Sequence, residues 1–147
     1  MKKKTIPKLV KELDEIFAIY IKTRDTDENG WGKCCTCGAS IQWWYFDGEK
    51  KRFNRNAQCG HAITRNNKLL RWNEWNAHLQ CVRCNYSLEG RQFIHLKFIK
   101  EWHGEEAYNY IIKNEAAQKK LYRHELEEQI QEFKNLLKRV NEYNESM

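Results

Sequence analysis

Two C-x2-C pairs constrain this chain more than anything else in it. Cys34 and Cys37 form one, Cys81 and Cys84 the other, and 43 residues separate them. A turn with two cysteines at this spacing points both thiolates at one ion, and Gly38 lets backbone amides approach the sulfurs. Together the four thiolates make a closed tetrahedral set suited to one structural Zn2+ per chain. Buried free cysteines are the plainer alternative, and two such pairs within 147 residues argue against it. The separation is longer than in a compact zinc ribbon, so an inserted element lies between the knuckles. It carries Cys59-Gly60-His61, and Asn85 directly follows the last cysteine. Cys35 and Cys59 are left over. Cys35 is most simply a bystander, whereas Cys59 could pack against the site or replace a ligand.

The compartment supports metal over disulfides. No apolar run approaches the roughly 20 residues that cross a membrane. No apolar signal-peptide core follows the basic start Met1-Lys2-Lys3-Lys4. A cytoplasmic protein is therefore expected, with reduced thiols and no membrane partner. The net charge of +6 is unevenly placed: residues 31–100 carry twelve basic and four acidic side chains. Between Lys50 and Arg71 there are seven basic residues and no acidic one. Such a run is often only a solvated face. Its coincidence with the cysteine motifs favours a surface that meets phosphates, with Lys50, Lys51, Arg52, Arg55, Arg65 and Arg71 lining DNA.

Hydrophobic spacing divides the rest. Ile6, Leu9, Leu13, Ile16 and Tyr20 predict a helix over 5–24, with Thr5 as cap and Pro7 in its first turn. Residues 41–46 read as one strand and 58–64 as a second, with His61 on it or at its end. Residues 65–76 read as a loop in which Trp72 and Trp75 anchor or stack on bases. A helix is expected from Ser87 to about His103, ended by Gly104, and another over 105–118. A long charged helix over 119–143 carries Leu126, Ile130, Phe133, Leu137 and Val140 at 4-3-4-3 spacing, about two heptads.

With these residues in place, the chain resembles the phage NinG/Rap recombination nuclease family. The motifs that carry the resemblance are C-x2-C, Cys59-Gly60-His61, and the run Asn76-Ala77-His78-Leu79-Gln80-Cys81-x2-Cys84-Asn85, over roughly residues 34–104. The layout is also similar to phage endonuclease VII and other zinc-containing His-Me finger (HNH) nucleases. The resemblance implies a ββα-metal core, one catalytic divalent cation (Mg2+ or Mn2+), and hydrolysis of branched DNA such as Holliday junctions and D-loops. It makes His61 the general base that takes a proton from the attacking water. It makes Asn76 the residue that fixes strand-loop geometry or orients the base, and Asn85 a ligand of the catalytic cation.

One position departs from the pattern. Many HNH nucleases have Asp directly before the base, as a metal ligand, and here that residue is Gly60. A hard cation without a carboxylate is poorly held. Glu89 would compensate if one helix carries both it and Asn85 on a shared face; His78 is another candidate. A surface Glu and a packing His are the plainer readings of these two.

The expected fold class is α+β, a zinc-stapled ββα core over 31–104 with helical arms over 1–30 and 105–147. The expected function is a metal-dependent, structure-selective DNA endonuclease of phage recombination. A non-catalytic zinc DNA-binding module is the alternative, favoured by Gly60. An HNH restriction or homing nuclease is a third, which would normally carry sequence-reading domains that a chain of this length has little room for. A homodimer built on the terminal helices is expected, because a four-way junction takes two symmetric incisions.

Overall fold

The computed structural model describes residues 2–146. Helix α1 spans Ile6–Arg24, and Thr5 Oγ1 accepts from the Lys8 amide at 3.4 Å as its cap, with Pro7 in the first turn. Its apolar stripe, Leu9, Leu13, Phe17, Tyr20 and Ile21, is buried. The chain then forms three antiparallel strand pairs. Strands β1 (Trp31–Lys33) and β2 (Ser40–Gln42) flank the first cysteine turn. Strands β3 (Trp44–Asp47) and β4 (Lys50–Phe53) make a hairpin, and β5 (Ala57–His61) pairs with β6 (Ala77–Cys81).

The β5–β6 pair is the platform of the molecule. Its register sets Ala57, Cys59 and His61 opposite Cys81, Leu79 and Ala77, and Gln58 and Gly60 opposite Gln80 and His78. Alternation along each strand puts these two sets on opposite faces. Helix α1 covers the His61 face, where the Phe17 ring lies 5.9 Å from the imidazole. The other face meets the segment that follows β6. A π-helical turn (Arg83–Ser87) and a 3-10 turn (Glu89–Arg91) lead into α2 (Gln92–His103). Helix α3 (Glu105–Lys113) packs on α2, and α4 (Arg123–Ser146) lies along α1. The largest core cluster joins Leu9, Leu13 and Phe17 to Leu126, Ile130 and Phe133, with Phe17 edge-on to Phe133 at 5.1 Å.

The mixed α+β class stands, and several expected boundaries are corrected. Residues 41–46 are not one strand. Trp43 is buried at a break between β2 and β3, where its amide donates to Gly30 O at 2.7 Å and its carbonyl accepts from Asn54 at 2.7 Å. The helix expected from Ser87 begins only at Gln92, because Glu89 (φ 54°), Gly90 (φ 84°) and Arg91 (φ 47°) take left-handed backbone that an α-helix excludes. The helix expected over 105–118 ends at Lys113, and α4 starts at Arg123 rather than 119. The apolar seams of the two terminal helices pack on each other within one chain, with Tyr20 edge-on to Phe133 at 5.5 Å. Among the described residues, no helix is long and apolar enough to cross a membrane.

Candidate metal centre and histidine groove

The four paired cysteines meet. Their sulfurs all lie within 4.8 Å of one another, and Cys37 Sγ and Cys81 Sγ are 3.8 Å apart. That separation is the edge of a tetrahedron with metal–sulfur bonds of about 2.3 Å. The cluster can bind a structural metal such as zinc. Each pair is shaped locally. Gly38 takes φ 74° and donates to the Cys34 carbonyl at 2.9 Å, closing the first turn. The Cys84 amide faces Cys81 Sγ at 3.5 Å in the second. Burial opposes ionisation of Cys34, yet the Thr36 hydroxyl and backbone amides hold its thiol down at about 6. Cys35 stays outside the cluster, and burial pushes its thiol well up. Cys59 is also outside, on the α1 face of β5, with its thiol pushed up to about 12 by burial.

A groove of about 750 Å³ opens between α1 and β5. His61, Asn85 and Glu89 all line it, with Lys22, Arg55 and Arg65. A shared helical face for Asn85 and Glu89 required one helix to carry both. Instead they reach this groove from two separate short turns. Asn85 Nδ2 donates to Gln58 Oε1 at 2.7 Å, which leaves its carbonyl oxygen for another partner.

His61 is held in one tautomer. Its Nε2 lies 2.8 Å from the Arg71 carbonyl, and a carbonyl only accepts, so Nε2 carries the proton and Nδ1 the lone pair. Burial lowers its pKa to about 4, against the bond to the Arg71 carbonyl, which raises it, and with the nearby Arg65 charge adding to the lowering. The imidazole is therefore neutral at pH 7.

The loop that presents Arg71 is pinned from inside. Asn76 is fully buried, accepts from the Ile63 amide at 2.9 Å, and donates to the carbonyls of Ile63 and Leu70 at 2.9 and 3.1 Å. It thus spans the loop between β5 and β6 rather than touching the groove. Asn67 does the same at the far end, accepting from the Leu69 and Leu70 amides and donating to Asn114 and Glu115. Asp14 of α1 clamps the near end. It receives Arg71 in a two-bond fork at 2.9 and 2.6 Å and Trp72 Nε1 at 2.9 Å, and Arg65 lies 3.7 Å away. Burial alone would raise Asp14, and these donors bring it below the usual carboxylate range. Trp72 is thus an anchor, and Trp75 packs edge-on to Tyr110 at 5.7 Å.

The basic residues divide accordingly. Lys50, Lys51 and Arg52 sit on β4, and Arg55 follows at the rim of the groove. Arg65 is largely exposed beside it. Arg71 has its charge matched by Asp14, so its guanidinium holds the loop. Sequence reasoning missed Asp14, Asn67 and Lys22. Single polar residues on a helix or in a loop give no spacing signal, and only the fold shows what they reach.

His78 was the other candidate beside Glu89. It points to the opposite face, where Nδ1 meets His95 Nε2 at 2.9 Å and Nε2 meets His103 Nε2 at 2.7 Å. Each contact shares one proton between two rings, and burial depresses all three pKa values, to about 3 for His95.

A mixed α+β chain with a four-cysteine cluster that could hold a metal, and a basic groove lined by a histidine, is the class that these features define. The family model of the bacteriophage lambda NinG protein matches residues 1–144, and the chain belongs to that family. No curated protein and no solved structure matches it.

Proposed function

We propose that the chain is a metal-dependent endonuclease acting on branched DNA in phage recombination, with β5, β6 and the turns after them serving as an HNH-type ββα-metal core. The observation that carries the reading is His61. It is neutral, its Nε2 proton is fixed on the Arg71 carbonyl, and it lies in a basic groove with two oxygen-bearing side chains. Nδ1 is then the atom that takes the proton of a water attacking the phosphorus. Asn76 and Asp14 position the base through the loop that holds Arg71.

The Asn85 carbonyl oxygen and the Glu89 carboxylate are a hard donor pair that fits Mg2+ or Mn2+ better than a soft metal. Such a cation, when bound, stabilises charge on the scissile phosphate and the leaving oxygen. The four cysteines hold structural zinc and take no part in the reaction. Lys22, Arg55 and Arg65 draw the DNA backbone into the groove. A homodimer belongs to the reading, since two sites in a two-fold particle supply the paired incisions of a junction.

The second reading, a non-catalytic zinc DNA-binding module, is favoured by one observation. The place of a side chain at Gly60 is taken by Gln80, whose Oε1 would lie 2.0 Å from a Cβ there.

Labelled four-way junction and linear duplex, incubated with the protein and Mg2+ or Mn2+, separate the two. Junction cleavage by the wild type, lost in His61→Ala while DNA binding stays nearly intact, is the expected result. A His61→Ala protein that cuts at the wild-type rate rejects the catalytic role. Binding without cleavage by the wild type, under any divalent ion, leaves the binding module.

A further inference from the structure

The β3–β4 hairpin presents two exposed rings, Phe46 and Phe53, beside Trp44, which packs on the core around the cysteines. Its register sets Trp44 opposite Phe53 and Phe46 opposite Lys51, so these four side chains share one face. Phe46 is 61% exposed and Phe53 58%. On the same face the Lys51 ammonium stands 4.3 Å over the Trp44 ring and 5.7 Å from Phe53. Lys50 and Arg52 alternate to the opposite face with Asp47 and Tyr45, where Asp47 lies 3.5 Å from Arg52, and Asp27 and Glu28 line a pocket with Trp44, Lys51 and Phe53. The surface is continuous with the histidine groove, because Phe53, Asn54 and Arg55 line that groove with His61.

Flat rings interleaved with cations match one kind of occupant. Duplex DNA offers phosphates but keeps the faces of its bases stacked away, so the rings would find no partner. A strand with unpaired bases offers both, an anionic backbone for Lys51 and Arg55 and π-faces for the aromatics. An acidic or apolar protein segment would use only half of this surface.

We propose that the β3–β4 hairpin is a stacking platform for unpaired nucleotides, with Phe46 and Phe53 taking bases, Lys51 and, at the groove end, Arg55 meeting phosphates, and the strand led on toward His61. The proposal deepens the nuclease reading and rests on it for what happens in the groove. It makes the preferred substrate one with single-stranded character at the branch.

Binding, measured with no Mg2+ or Mn2+ added, keeps the platform separate from the chemistry. Fluorescence anisotropy would compare the full zinc-bound chain on a short oligothymidylate and on a perfect duplex. Phe46→Ala and Phe53→Ala are each expected to weaken single-strand binding about tenfold and duplex binding far less. Phe46→Trp should restore it, and Phe93→Ala, an exposed ring on α2, should change neither. A 2-aminopurine base in the oligomer should be quenched by the wild type and less by Phe46→Ala. Because Phe46 is exposed, its variant tests the idea even if Phe53→Ala fails to fold. Equal losses on single strand and duplex, or no loss on either, overturn the proposal. So does a change of oligomeric state in Phe46→Ala with single-strand binding retained, which would assign the face to a second copy. Failure of the nuclease reading looks different: ring-dependent single-strand binding with no cleavage of any substrate.

Discussion

Gly60 stands directly before His61, and its missing side chain is filled from across the hairpin. Gln80 is fully buried, donates to Thr36 Oγ1 at 3.0 Å and to the Gly90 carbonyl at 2.9 Å, and keeps Oε1 without a partner among the described residues. A Cβ at position 60 would lie 2.0 Å from that oxygen and 2.9 Å from Cδ. Gly60→Ala is therefore expected to cost about 1–3 kcal/mol through overpacking. In a urea-denaturation double-mutant cycle, Gly60→Ala with Gln80→Ala should cost less than the two single changes summed. Strict additivity would show that the two do not compete for space. Histidines supply the second residue-scale prediction. His61 falls to about 4 and His95 to about 3, both through burial first, while the unfolded chain titrates near 6.5. The unfolded state thus binds more protons between those values, so stability is complete above about pH 6.5 and falls as pH drops through 5 toward 4. Denaturant midpoints taken from pH 8 to pH 4.5, with zinc content followed alongside, check this. A flat profile with zinc retained counts against it. His61 was legible in the sequence because Cys-Gly-His sits between the two cysteine pairs. The filling of Gly60 by Gln80 was not, because it depends on strand register.

At the scale of elements, the cysteine turns are the clearest case of sequence specifying structure. Two spacings of two residues brought four sulfurs together across 43 intervening residues. The strands they staple are short, and the small core around them consists of Ile41, Trp43, Ala57 and Leu79 with Cys34, Cys81 and Cys84. Structural zinc supplies about 10 kcal/mol or more of folding free energy in small peptides. One zinc per chain is expected by elemental analysis, and chelation or Cys81→Ser should unfold the β1–β2 and β5–β6 region. A metal-free protein with unchanged circular dichroism and amide protection would refute that. The start of α2 was the least legible boundary. Apolar spacing after Ser87 runs on without a break, yet three consecutive positive-φ residues delay the helix to Gln92. That delay matters to the site, because it swings Glu89 into the groove on a 3-10 turn rather than on a helix face. The split at Trp43 has a similar origin: its ring is buried, and its backbone amide and carbonyl bond to Gly30 and Asn54, which ends one strand before the next starts.

Across the whole molecule, α1 is the part on which the site depends. One side of it supplies Asp14, Phe17 and Lys22 to the groove, and its apolar stripe packs on α4. Heptad spacing revealed that both helices had seams, but spacing carries no information about which partner covers a seam. Within the chain, Leu126, Ile130 and Phe133 are buried against Leu9, Leu13 and Phe17. Removing α4 would expose Leu9, Leu13 and Phe17 of α1, each worth about 1.5–3 kcal/mol when buried, and loosen the helix that carries Asp14. A chain ending near Lys119 is therefore expected to unfold at a lower urea concentration, or to aggregate, and, on the proposed nuclease reading, to lose cleavage along with stability. The Phe17→Ala and Phe133→Ala variants should each cost about 3–5 kcal/mol, and the pair less than their sum, because the two rings meet edge-on. Sedimentation equilibrium of the full chain at micromolar concentration separates the tasks of this helix pair. A dimer that survives in Phe133→Ala would place the contact between subunits elsewhere. A dimer lost in step with stability would tie it to α1 and α4. A monomer at every concentration would reject assembly and leave the helix pair with one task, holding the Asp14 clamp against the loop that carries Arg71.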